Sequence, residues 1–320
     1  MASGRPVGVW LQGGDTLGDV NFNYSSELYM AEVPLPYSGD VENSVAVLVS
    51  AGTFYVFKAD NSGFAGDRPM VRRGDRVKFN YRGPSFEITN VNTAPANPPF
   101  PAGTTQVNYA LNGYPAPRGG TVPYQVFRQA ERTGASIELP TGICVDLRSS
   151  GMGPGNPAAN WNSPADSATP ADPSTHDPPP GVEFQLKQNE GGDASVLILF
   201  SPDGHVQSVT RNVAWFSRDE SGGARRGATD RAPRVVHLLI GKLDQMDVAG
   251  TLPFSSHDPM NETLSYNNNL ADPASLWVTV GVRSGNVASS ENNFLLQPNF
   301  TSTLRACRTF ASQTQNLGAR

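Results

Sequence analysis

The apolar positions of this chain fall mostly into short alternating runs, the period expected of half-buried strands. Arg76 to Tyr81 (RVKFNY) is the clearest, with Val77, Phe79 and Tyr81 on one face. Arg82-Gly83-Pro84 then turns the chain and Ser85 to Val91 (SFEITNV) returns, which predicts a hairpin. Arg5 to Leu11, Leu28 to Leu35, Pro123 to Arg128 and Ser136 to Leu139 read as further strands. Pro34 and Pro36 place the second of these at a sheet edge or a strand end. Ser44 to Val49 and Thr53 to Lys58 flank Ala51-Gly52 as another hairpin. The run from Asn92 to Gly120 is rich in Pro, Asn and Gly and is expected to be a surface excursion.

A second kind of segment is denser. In Ser195 to Val209 (SVLILFSPDGHVQSV), the unbroken branched run Val196–Phe200 predicts a strand buried on both faces. Pro202-Asp203-Gly204 supplies turn chemistry, so the segment reads as a hairpin with one arm in the core and Asp203 and His205 as turn residues. Ile143–Leu147, Val235–Ile240 and Trp277–Val282 have the same dense character and are its expected companions in one sheet. Only Thr301 to Gln315, with Leu304, Cys307, Arg308 and Ala311 at helical spacing, predicts a helix. Gly151 to Gly181 is a low-complexity run with too little apolar surface to order itself, and a long mobile loop is expected there.

Composition agrees with a turn-rich, mainly β (α+β) chain. Hydrophobic residues make up 38% and charged residues 17%, alongside 32 Gly and 27 Pro in 320 residues. Residues 1–320 are read as one β-rich domain. A net charge of −5 argues against a surface that is wholly a nucleic-acid or membrane platform. No stretch approaches the roughly 18–20 apolar residues of a membrane helix, and Met1–Pro6 has no signal-peptide core. Cys144 and Cys307 are the only cysteines and lack CxxC spacing; a single disulfide and two buried thiols are both compatible with that pattern.

Candidate chemistry is sparse, and no cofactor, metal or catalytic set is expected. Gly151-Met152-Gly153-Pro154-Gly155 follows a strand, but no helix begins after it to face a phosphate. His176, His205, His237 and His257 are widely separated and in no ligand pattern. Asp60-Asn61-Ser62-Gly63 with Asp67 gives half a calcium loop without its terminal Glu, and is read as a solvated turn. Arg73-Gly74-Asp75 is read as a turn, with adhesion as the alternative. Arg225, Arg226, Arg231 and Arg234 belong to a local basic excess able to grip phosphates, so DNA is the nucleic-acid partner to consider, against a solubilising loop. Trp10 and Trp277 lie in strands and are expected in the core; with Trp161 and Trp215 the alternative is a sugar-stacking platform.

The order of segments carries more than any one of them. GRPVGVWL, ELYMAEVPLPYSG, RRGDRVKFNYRGPSFEI, PYQVFRQ, ELPTGICVDLRSSG, VLILFSPDGHVQSV, VVHLLIGKLDQ and LWVTVGVRSGNVASSE, with the tail RTFASQTQNLGAR, follow one another along nearly the whole chain. In that order they resemble the large pseudopilin-like proteins of planctomycete-type bacteria, relatives of the type II secretion pseudopilin H and of minor type IV pilins. The resemblance implies a pilin-like head of antiparallel sheets packed on a spine helix. It further implies a non-enzymatic subunit, periplasmic or at the cell surface, whose partners are other pilin or pseudopilin subunits and secreted cargo. The family's basic leader, cleavage Gly, fifth-position Glu and apolar helix are not in this sequence. Membrane anchoring would come only through that helix, so the resemblance implies a soluble portion of the protein or a start set too late. The alternative from another class is a β-sandwich module binding polysaccharide or DNA.

Overall fold

The computed structural model of the chain describes residues 4–13, 24–57, 62–64, 69–93, 104–153, 182–183, 195–211, 228–230, 235–246, 269–293 and 300–318. Its strands begin with β1 (Val7–Gln12), β2 (Tyr24–Ser25), β3 (Glu27–Glu32), β4 (Val45–Ser50), β5 (Thr53–Val56) and β6 (Arg76–Phe79). They continue with β7 (Phe86–Thr93), β8 (Thr105–Ala110), β9 (Gly120–Phe127), β10 (Glu131–Glu138), β11 (Ile143–Met152) and β12 (Val182–Glu183). The last are β13 (Ser195–Phe200), β14 (Val206–Arg211), β15 (Ala228–Asp230), β16 (Val236–Lys242), β17 (Leu276–Val280) and β18 (Val287–Glu291). Among the described residues one α-helix, α1 (Phe300–Gly318), follows the last strand where helical spacing predicts it. The fold is mainly β and its sheets are antiparallel, as expected.

Sequence patterning treats 1–320 as one domain, and the structure resolves two compact units within it: 1–31 with 132–320, and 32–131. The second unit occupies the chain between β3 and β10, which are neighbours in one sheet.

The first unit is a β-sandwich. One sheet runs β10-β3-β1-β13-β14-β15; the other runs β12-β11-β16-β17-β18, with β2 added on β11. Leu11, Val196, Ile198, Val206 and Val209 of the first sheet share a core with Val145, Leu147, Met152, Val236 and Val280 of the second. Burying each such side chain stabilises the fold by about 1.5–3 kcal/mol. Strand alternation sends the other face of β16 and β17 the opposite way. There Leu239 and Trp277 pack with Leu304, Cys307 and Ala311 of α1.

This layering corrects one expectation. β13 lies between β1 and β14, while β11, β16 and β17 form the facing sheet. Runs buried on both faces look alike whichever sheet holds them, so density alone does not assign partners. The hairpin itself stands as expected: β13 pairs β14, and Ser201 N bonds the His205 carbonyl across the turn at 2.8 Å.

The second unit is a closed six-stranded barrel, β4-β5-β8-β7-β6-β9. Its strands alternate cleanly, as β8 shows with buried Thr105, Val107 and Tyr109 between half-buried Gln106, Asn108 and Ala110. The interior is aromatic. Phe54 sits edge-on to Phe79 at 5.3 Å and to Phe64 at 6.3 Å, and Phe79, Phe86 and Tyr109 complete the cluster. β8 lies inside the run from Asn92 to Gly120 that composition marks as a surface excursion. It closes the barrel between β5 and β7, because Val107 and Tyr109 fill interior places that Asn and Pro counts do not register.

Candidate functional site

Several sequence candidates are settled by their surroundings. Asp75 of the Arg-Gly-Asp triplet is 2% exposed, so it is not available to an adhesion receptor. Its carboxylate instead accepts from Arg72 N at 2.8 Å and from Gln129 N at 2.9 Å, tying the start of β6 to the chain beyond β9. Burial pushes its carboxyl up to about 6 against those two hydrogen bonds. Gly74 holds φ +91, a conformation that favours glycine.

Of the half calcium loop, Ser62 and Gly63 begin a short 3-10 turn, Ser62–Phe64. Gly63 N donates to Tyr37 Oη at 3.2 Å, and Tyr37 Oη donates to Asp40 at 2.8 Å. Asp60, Asn61 and Asp67 lie outside the described residues. So do Arg225, Arg226, Arg231 and Arg234, Trp161 and Trp215, His176 and His257, and residues 154–181 of the expected mobile loop. Trp10 and Trp277 are both in the core.

At the hairpin turn, Ser201 Oγ donates to Asp203, and His205 Nε2 lies 3.2 Å from the same carboxylate. The carboxylate stands between hydroxyl and imidazole, so the histidine does not touch the serine it would have to deprotonate. Ser201 Oγ also bonds the His205 carbonyl at 3.1 Å, which closes the turn. Cys144 and Cys307 are unlinked and buried. Burial, reinforced by Asp146 and Asp244, pushes the Cys144 thiol up to about 12, the reverse of what a nucleophile needs. Cys307 Sγ lies 3.5 Å from the Asn293 carbonyl.

The densest polar cluster is one that sequence patterning missed. A bulge between Asp146 and Gly151 interrupts the register of β11 with β16. Arg308 of α1, wholly buried, fills it: Nε and Nη2 donate to the Ser149 carbonyl at 3.2 and 2.7 Å, and Nη1 to the Gly153 carbonyl at 3.4 Å. Asp146 accepts from Ser149 N at 3.0 Å, and Ser150 Oγ accepts from Leu239 N at 2.9 Å. His237 stands against Trp277 edge-on, with Ser312 Oγ 3.4 Å from its Nε2. Burial first and the Arg308 charge second hold its imidazole down at about 3, hence neutral. Trp277 Nε1 donates to Asn292, whose amide donates to the Leu270 and Asp272 carbonyls at 2.7 and 3.0 Å. These bonds pin a helix to a bulged strand. Among the described residues no group of three His, Cys, Asp or Glu is arranged to hold a metal ion.

Two exposed sheet faces among the described residues have a pattern of their own. In the second sheet of the sandwich, cross-strand register sets Leu276, Val278 and Val280 on one face with Glu291, Ser289 and Val287. Val280 reaches the core, but Leu276 is 43% and Val287 65% exposed. On the barrel, the outward rows of β5, β8 and β7 carry Tyr55, Gln106 and Asn92, then Thr53, Asn108 and Asn90. Gln106 and Asn108 alternate with Val107 and Tyr109 in TQVNYA, a signal hidden by the surrounding Pro and Gly. No protein-family model matches this chain, and no curated protein matches it either.

Proposed function

We propose that the chain is the head of a pilin-like filament subunit, of the type II secretion or type IV pilus kind, working by protein–protein contact at the periplasmic or outer cell surface. Antiparallel sheets with a helix packed on one of them support such a head, and the ordered set of segments supports the family resemblance. The observation that carries the contact role is the exposure of Leu276 and Val287, at opposite ends of the β17–β18 pair with half-buried Val278 between them. Exposed aliphatic side chains on a sheet face suit a partner surface better than water. Among the described residues, polar groups hold turns and the helix: Asp75, Arg308, His237, Asp203 and Ser201 all have fold-internal contacts. Among the described residues no helix is long and apolar enough to cross a membrane. In this proposal the anchor is the family's spine helix.

A photo-crosslinking amino acid in place of Val287, introduced in the cells that make the protein, tests the proposal. The expected product is an adduct with a second copy or with another chain carrying a prepilin-type helix, lost in Leu276→Glu. Adduct formation with neither would overturn the contact role.

A further inference from the structure

We propose that the outer face of barrel strands β5, β8 and β7 binds a neutral polysaccharide. Residues directly opposite across an antiparallel pair share a face with their Cβ atoms about 4.5–5.5 Å apart. The register therefore builds two parallel rows: Val47, Tyr55, Gln106 and Asn92, and next to it Thr53, Asn108 and Asn90. Their neighbours along each strand, Phe54, Val56, Val107 and Tyr109, point into the barrel core, so both rows point away from it. Asn90 and Asn92 are exposed, and Thr53, Tyr55, Gln106 and Asn108 are half-buried.

Asn is disfavoured in strands, and here three Asn and one Gln occupy opposed positions on adjacent strands. Local rules are broken in this way where a surface has a task besides folding. The rows contain no Lys, Arg, Asp or Glu. A phosphate backbone or an acidic glycan needs cationic partners, which the described rows do not offer. A neutral sugar needs the opposite. Each hydroxyl both donates and accepts, and a carboxamide offers both an acceptor oxygen and an NH₂ donor.

Two of the amides, those of Gln106 and Asn108, are also held in place. Thr53 Oγ1 donates to Asn108 Oδ1 at 3.2 Å and Gln106 Nε2 to the same oxygen at 3.3 Å, which leaves the Asn108 NH₂ to donate elsewhere. Tyr55, flanked by Val47, adds an aromatic body at one side for the apolar face of a pyranose. Three strands and two rows span roughly 10 Å by 7 Å from ordinary strand spacings, room for about two sugar units.

Affinity electrophoresis of the full chain through gels containing dextran, laminarin, soluble starch, glucomannan or, as the charged control, polygalacturonate tests this. Retardation on at least one neutral polysaccharide is expected, unchanged between low and high salt. It should weaken at least tenfold both in Tyr55→Ala and in the double variant Asn90→Ala/Asn92→Ala, and persist in Tyr81→Ala, which alters an exposed aromatic in the turn after β6. The Asn positions are exposed, so the double variant keeps its fold, as circular dichroism will confirm. Retardation on no neutral gel, retardation only by polygalacturonate, or retardation untouched by either the Tyr55 or the Asn variant would overturn the proposal.

Discussion

The sandwich and the barrel place their polar side chains in opposite ways. In the sandwich, Arg308, His237, Asp146, Ser149, Ser150 and Asn292 are buried, and several bond one another or nearby backbone across β11, β16, β17 and α1. In the barrel the interior is aromatic and aliphatic, and Asn90, Asn92, Gln106 and Asn108 lie outside. A closed barrel pairs its strands edge to edge, and its buried Asp75 holds backbone only outside the strands, at Arg72 before β6 and Gln129 after β9. A bulged strand leaves carbonyls over, and Arg308 is the group that answers them. Buried polar groups thus mark where the fold must be held, and outward ones mark where it is free to recognise something.

The contrast can be broken most sharply at the barrel centre. Phe54→Ala removes the ring around which Phe64, Phe79, Tyr109 and Tyr124 are arranged. A loss of about 3–5 kcal/mol is expected, and hydrogen exchange should show it in β4 to β9. Next comes Asp75→Ala, which strands the Arg72 and Gln129 amides at a cost of about 1–3 kcal/mol each, measured by urea denaturation. Arg308→Met keeps the length of the side chain but frees the Ser149 and Gly153 carbonyls, a loss of about 1.5–3 kcal/mol. Exchange should then rise in β11 and α1 rather than in the barrel.

Titration separates the units by sign. The Asp75 carboxyl is raised in the fold from its ordinary 3.8 to about 6, so its contribution is fully present below pH 3.8 and fades as pH rises through 6. His237 is depressed from 6.5 to about 3, so its contribution is present above pH 6.5 and is lost as pH falls through 3. Thermal melts of Asp75→Asn should lose the decline in stability between pH 4 and 6. Those of His237→Gln should lose part of the fall at acid pH. The smallest effect is expected for Asn90→Ala/Asn92→Ala, within about 0.5 kcal/mol of the parent by denaturation, since exposed positions away from caps and cavities seldom matter more.

Much of this was legible because alternation reports a face. Val77 and Phe79, Val145 and Leu147, and the spacing of Leu304, Cys307 and Ala311 all gave their elements correctly. Which sheet a doubly buried strand joins was not legible, since Val196–Phe200 and Val236–Ile240 carry the same pattern in different layers. β8 was masked by its Pro- and Gly-rich surroundings although Val107 and Tyr109 alternate. Of the polar sites, Asp203 and His205 announced a turn through the Pro-Asp-Gly beside them. Arg308 gave no signal, because its partners are backbone carbonyls 155 and 159 positions away along the chain.

The filament-subunit proposal meets its most direct test at the mature N terminus. The protein would be isolated from cells that make it and its first residues read by mass spectrometry. The account predicts an apolar segment upstream of Gly4, beginning just after a cleavage glycine, on protein recovered from the cell envelope. A mature chain starting at Met1 or Ala2 and recovered from the cytosol would contradict it.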